Sequence, residues 1–230
     1  MSEIASVSQA ELAYRRLRDE ILQGDLKPGE RLRAADLRGR FQLGLTPIRE
    51  ALMRLSSENL VEGEVNRGAR VSSATRAEFA DLMATRRAIE RLCLTASITR
   101  GGADWEAEVI AAMHLLSRAP LPASADDRAA AAHWEAQHRR FHGALVGACG
   151  SHWQLRFWNT LADHSERYRK LRLLRRHEAE AAVRDVNAEH RAILQAALDR
   201  DVARATGLMD AHLAATESSV SRMLAQTGSG

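Results

Sequence analysis

Apolar residues recur at helical spacing along most of this chain. From Ser8 to about Gln23, Leu12, Leu17, Ile21 and Leu22 share one face. Ser8 stands as an N-cap with Glu11 three residues on, the spacing of a capping box. Gly24-Asp25-Leu26-Lys27-Pro28-Gly29 breaks that helix. A short helix over about 33–41 follows, then a tight segment, Gln42-Leu43-Gly44-Leu45. Thr46-Pro47 opens the next helix, threonine as its cap and proline in its first turn. This helix runs to about Asn59, with Ile48, Leu52 and Leu55 on one face. The period then shortens. Residues 60–65 and 69–72 read as two strands around the hairpin turn Asn66-Arg67-Gly68. That order of elements predicts a winged helix-turn-helix in residues 1–75. Residues 76–230 return to helical periodicity, in segments of about 76–99, 105–118, 126–148, 152–176, 178–199 and 202–224. Short connections between them predict an antiparallel bundle of six to seven helices. The fold class is mainly α.

Composition agrees. Of 230 residues, 45% are hydrophobic and only 4 are proline, so a helical core is affordable. The two cysteines, Cys93 and Cys149, make no disulfide framework, which points to a reducing cytoplasm. The N-terminus has no apolar signal core, and no stretch is long and apolar enough to span a membrane. Charge alone names no partner. The net charge is +3, and residues 1–72 carry 12 basic against 11 acidic side chains. Arginine dominates, since Lys27 and Lys170 are the only lysines among 33 basic residues. A case for DNA must therefore rest on position. The first turn of a recognition helix meets the major groove, and a wing can enter the minor groove. Arg33, Thr46, Pro47, Arg49, Arg67 and Gly68 occupy such positions. Taken singly, they are equally ordinary caps, turns and surface side chains. The order of the elements makes DNA the favoured partner.

The 9 histidines all fall from His114 onward. His138 and His142 share a helix face, and His190 and His212 lie on later helices. Four such side chains can converge on a metal inside a bundle, or can be ordinary core and surface residues. His114, His133, His152, His164 and His177 read as the latter.

"YRRLRDEILQGDLKPGERL", "DLRGRF", "TPIREALMRLSSENLVE" and "NRGARV" resemble the winged helix of GntR-type bacterial transcription regulators. The helical remainder resembles the effector domain of their FadR branch, the FCD domain. Within it, "RRFHGALVGACGSHWQL" and "SERYRKLRLLRR" look most like glutarate-responsive repressors. One departure stands out. Such regulators usually carry Ser-Arg or Thr-Arg just before the Thr-Pro, where this chain has Gly44-Leu45. The operator therefore does not carry over, and Leu45 suits a thymine methyl.

The resemblance implies a homodimer on palindromic operator DNA. It also implies a divalent metal held by an Asp-x-x-Phe-His pair and two further histidines. Here Phe141 and His142 match, His138 stands where the aspartate would be, and His190 in "EHRAIL" and His212 in "DAHL" match the rest. Four neutral imidazoles favour Zn²⁺ or Ni²⁺ over Mn²⁺ or Mg²⁺. The same substitution also fits a site that binds an anionic effector without metal. Arg86, with Glu90 in "RRAIE", is implied as the partner of a small carboxylate effector. By spacing alone the two are a surface i,i+4 pair. Tyr168, Arg169 and Arg172 are further candidates. The expected function is a ligand-responsive regulator, a repressor released by a carboxylate, with a dicarboxylate among the candidates. A dedicated metal sensor is the alternative. A metal-dependent enzyme is disfavoured, because neither Glu135 nor Glu189 sits at a diagnostic spacing for a general base.

Overall fold

The computed structural model describes residues 8–63, 68–73, 75–124, 126–174 and 184–227. Nine helices and three strands lie among them, in two compact units, residues 1–74 and 75–230.

In the first unit, α1 (Gln9–Gln23) starts where Ser8 Oγ accepts from Glu11 N at 3.1 Å. It stops at Gly24, whose φ of 80° suits glycine. Ala13, Leu17, Ile21 and Leu22 are its buried face. α2 (Ala34–Phe41) and α3 (Leu45–Ser57) follow, with Ile48, Ala51, Leu52 and Leu55 of α3 buried against α1. Arg54 of α3 clasps α1 from outside. Its guanidinium lies 3.5 Å from the Tyr14 ring centroid and donates to Glu11, while Tyr14 Oη donates to Glu58 at 2.9 Å.

Two details depart from the sequence expectation. The cap of α3 is Gly44, not Thr46, so no side-chain oxygen covers its first amides. The wing has three strands rather than two. β1 (Arg31–Leu32) pairs antiparallel with β3 (Ala69–Val71), which also pairs with β2 (Val61–Glu62). Gly29 makes β1 possible. At φ 76° it turns the chain so that its N–H reaches Val71 O and Glu30 O receives Val71 N, both at 2.9 Å. Gly63 (φ 98°) must be glycine for space as well, since a Cβ there would lie 2.6 Å from Gly68 O.

The second unit comprises α4 (Arg76–Arg100), α5 (Ala103–Arg118), α6 (Arg128–Val146), α7 (His152–Leu174), α8 (Val186–Leu198) and α9 (Val202–Thr227). α4 packs on α6, α7 and α9, and α5 and α8 complete the bundle. Thr75, Asp127 and Asp185 cap α4, α6 and α8 by accepting from the amide three residues on. The Asp185 cap starts α8 at Val186, later than the periodicity suggests, and residues 175–183 lie outside the described part. Phe79, Met83, Leu94, Val109, Leu116, Phe141, Leu145, Trp158 and Ile193 fill the core.

Candidate functional site

α6 is amphipathic in an unusual way. Its buried stripe, Trp134, Glu135, His138, Phe141, His142 and Leu145, carries three polar residues among apolar ones. That stripe brings His138 and His142 inward one turn apart, with ring centroids 4.5 Å apart. α8 supplies His190 and α9 supplies His212. Their rings lie 4.7 Å from each other, 5.2 Å (His190) and 6.2 Å (His212) from His138, and each 5.3 Å from His142. One ring nitrogen of each fits within 4.8 Å of all the others, and none of the four side chains is more than 4% exposed.

These imidazoles are neutral bases. Burial drives His138, His142 and His190 well below the ordinary histidine range, and neighbouring histidines and arginines push the same way. His138 Nδ1 and both nitrogens of His142 and His190 have no hydrogen-bond partner among the described residues. Orphaned buried nitrogens are costly. Convergent lone pairs are what a cation requires, so the donor set fits a divalent metal ion, and the cluster could hold one. His212 is also lowered by burial, against which Glu189 pulls upward through a 2.8 Å contact to Nδ1.

A buried charge network adjoins the histidines. Arg86 and Glu90, one turn apart on α4, are 2% and 0% exposed, so they are not the surface pair that spacing alone permits. The Glu90 carboxylate accepts from Trp158 Nε1 at 2.7 Å and lies 3.7 Å from His142 Nδ1. Arg86 Nη1 donates to Ser165 Oγ, and its Nε lies 3.6 Å from Glu90 without a hydrogen bond. Burial, reinforced by the positive charge of Arg169, lowers the Arg86 guanidinium to about 10. Arg169 of α7 meets the same Ser165 Oγ at 3.0 Å and straddles the fully buried Glu135 at 3.0–3.3 Å. Arg169 thus reaches this region, whereas the Tyr168 ring packs at a tilt against Phe79, centroids 4.5 Å apart, near Glu78 and Arg167. Burial raises the Tyr168 phenol to about 12. Arg172 is half-buried one turn on. The Glu135–Arg169 pair was missed by sequence reasoning, although a glutamate between Trp134 and His138 on an apolar stripe was a signal for a buried charge. Among the remaining histidines, His114, His133 and His152 are exposed and His164 is half-buried, while His177 lies outside the described residues.

In the first unit, Arg33, Thr46 and Arg49 are exposed and Pro47 is half-buried. Neither Arg33 nor Arg49 pairs with a carboxylate among the described residues. Beside them, Ala35, Arg38, Gly39, Gln42, Leu43 and Gly44 line a hollow of about 610 Å³. Gly68 has φ 115° and lies against the Arg31 guanidinium, while Arg67 lies outside the described residues.

Comparison with known proteins covers both units. Residues 9–71 match the bacterial regulatory proteins of the gntR family, and residues 81–215 match the FCD domain. The chain is 38% identical over 200 residues to the HTH-type transcriptional repressor GlaR of Escherichia coli, covering 87% of this chain and 90% of that protein. It is also 38% identical over 219 residues to the HTH-type transcriptional regulator BphR of Paraburkholderia xenovorans, covering 95% of this chain and 86% of that one. Among solved structures, E. coli McbR/YncC shares the fold with a TM-score of 0.74 at 19% identity, over 94% of this chain and 99% of that one. A GntR regulator from Rhodococcus shares it at 0.69 and 22%, over 93% and 98%.

Proposed function

Because the chain belongs to the GntR family of bacterial regulatory proteins and carries its FCD domain, we propose that it is a cytoplasmic repressor released from DNA by a small carboxylate. The relatives are transcription regulators, not enzymes, so the metal-dependent enzyme is set aside. A homodimer binds a palindromic operator. The guanidiniums of Arg33 and Arg49, which pair with no carboxylate among the described residues, meet phosphates or base edges, and the open backbone N–H groups of Leu45 and Thr46 in the first turn of α3, ahead of Pro47, suit a phosphate. Arg67 and Gly68 are the candidates for a minor-groove contact.

The observation that carries the effector half is the cluster of four buried neutral imidazoles, His138, His142, His190 and His212, beside two buried guanidiniums. The four histidines would hold Zn²⁺ or Ni²⁺, which when bound would supply Lewis acidity toward a carboxylate. Arg86 supplies the charge-assisted hydrogen bonds, its Nε being 3.6 Å from Glu90 and making no hydrogen bond among the described residues. Tyr168 and Arg172 lie on the same α7 helix as Arg169. Dicarboxylates are among the effector candidates. Effector binding shifts the population between DNA-competent and incompetent arrangements of the dimer.

The test is a thermal-shift screen of small carboxylates on metal-loaded and metal-stripped protein without a His-tag, followed by operator release by each hit. A carboxylate that raises the melting temperature only of loaded protein supports the reading. Less than about a tenth of an equivalent of transition metal after reconstitution overturns the metal half. A second reading, a dedicated metal sensor, is favoured by one feature. The site offers four imidazole donors, which would by themselves match the four ligands of a structural Zn²⁺ site. In that case Zn²⁺ alone changes operator affinity.

A further inference from the structure

The four histidines are sealed from water on nearly every side, and one edge differs. Glu189, next to His190, is 32% exposed, and Arg184, just ahead of the α8 cap, is 23% exposed. Arg184 makes five contacts there. Nε donates to Glu189 Oε1 at 2.5 Å, and Nη2 donates to Glu189 Oε2 and to His212 O at 2.9 Å. Nη1 donates to Thr216 Oγ1 at 3.1 Å, and Nη2 lies 3.2 Å from His212 Nδ1. The guanidinium therefore ties the start of α8 to α9 and grips both oxygens of Glu189.

That grip decides which nitrogen of His212 is protonated. Nδ1 touches two groups, the Glu189 carboxylate at 2.8 Å and Arg184 Nη2 at 3.2 Å. A carboxylate only accepts, and a guanidinium only donates. Nη2 already has better acceptors in Glu189 and His212 O, so the proton belongs on Nδ1 and is donated to Glu189. Nε2 then keeps its lone pair for the other three imidazoles. Glu189 thus accepts from both Arg184 and His212 Nδ1, with the guanidinium spanning its two oxygens.

We propose that Arg184 is a positioning residue for the metal centre: by fixing Glu189 against His212 Nδ1, it presents His212 Nε2 as a ligand. Without it, a carboxylate one-third exposed turns to water, and His212 loses the partner that selects its tautomer. Outer partners of ligating histidines commonly act this way. The inference rests on the metal reading above.

The experiment is a Zn²⁺ titration of the metal-stripped full chain against a chromophoric chelator, with Co²⁺ absorption read in parallel. Arg184→Gln weakens Zn²⁺ by about tenfold or more and alters the Co²⁺ bands. Glu189→Gln does at least as much. The double variant is no worse than Glu189→Gln, because Arg184 acts through that carboxylate. Arg184→Lys, which keeps the charge and loses the fork, recovers part of the affinity. It also decides the matter if Arg184→Gln melts too low to titrate. A mere tie between helices would lower the melting temperature of the metal-free protein and leave the affinity alone. Parent affinity and parent Co²⁺ bands in the Arg184 variants, or losses that add in the double variant, overturn the assignment. A parent chain that takes up no metal overturns it together with the metal reading.

Discussion

The two units bury different things. Among the described residues, the first unit hides one polar side chain, Ser72, within a core of Leu17, Ile21, Ile48, Leu52, Leu55 and their neighbours. The second buries Arg86, Glu90, Glu135, Arg169 and four histidines. Buried charge is costly unless paired, and paired charge seldom out-stabilises an apolar core of equal volume. A domain that meets a large rigid partner such as DNA can keep its chemistry on the surface, where Arg33 and Arg49 lie. A domain that encloses a small ion or anion, as proposed for the second unit, carries its polar groups inside. The first unit therefore has an apolar core, whereas the second carries buried polar and charged groups beside its histidines.

That contrast can be broken or sharpened experimentally. All four tryptophans, Trp105, Trp134, Trp153 and Trp158, fall in the second unit, so their fluorescence reads that unit alone. The largest effect belongs to Glu135→Ala, which strands the Arg169 guanidinium in the interior. It should destabilise the second unit by about 3–5 kcal/mol in a urea titration followed by tryptophan emission. A loss below about 1 kcal/mol would mean that water or Ser165 replaces the partner.

Acid comes next. The folded-state values of His138, His142 and His190 lie well below 6.5, so the unfolded chain takes up protons first as pH falls. Their stabilisation is complete above the unfolded value and drains away as pH drops below about 6.5. Each contributes up to about 1.4 kcal/mol per pH unit in that window. The first unit contains no histidine and lacks this dependence. Melting of metal-free protein between pH 7 and 5 checks it, and a second unit as acid-tolerant as the first would refute neutral buried histidines.

Arg54→Ala should cost the first unit no more than about 1 kcal/mol, because the clasp on Tyr14 and Glu11 is half-exposed. Hydrogen exchange of the α1 amides reads it. The smallest change in stability, within about 0.5 kcal/mol, is expected of Arg49→Ala. The same variant should weaken operator binding and lower the salt slope by about one if Arg49 meets a phosphate. Unchanged binding would remove Arg49 from the interface.

Local signals survived where the chain decides locally. Ser8 caps α1, Gly24 ends it, and apolar spacing placed α3 through α7 and α9 to within a few residues. The i,i+4 spacing of His138 and His142 needed no tertiary information, because one helix fixes it. Gly44 in place of Thr46 as the cap of α3, and Asp185 as the cap of α8, were decided by where the chain turns.

The rest depended on contacts between distant segments. β1 is two residues long and exists because Arg31 and Leu32 meet Arg70 and Ala69. Arg86 and Glu90 read as a surface pair until α7 covers them with Trp158 and Ser165. Glu135 finds Arg169 34 residues away, and Arg184 finds His212 28 residues away. By itself the sequence determined helix faces, turns and the residue types available for chemistry, since these follow from backbone geometry and side-chain period over a few residues. Only the tertiary structure decided which polar groups are buried together, because burial and pairing are properties of the packed helices and not of any one of them.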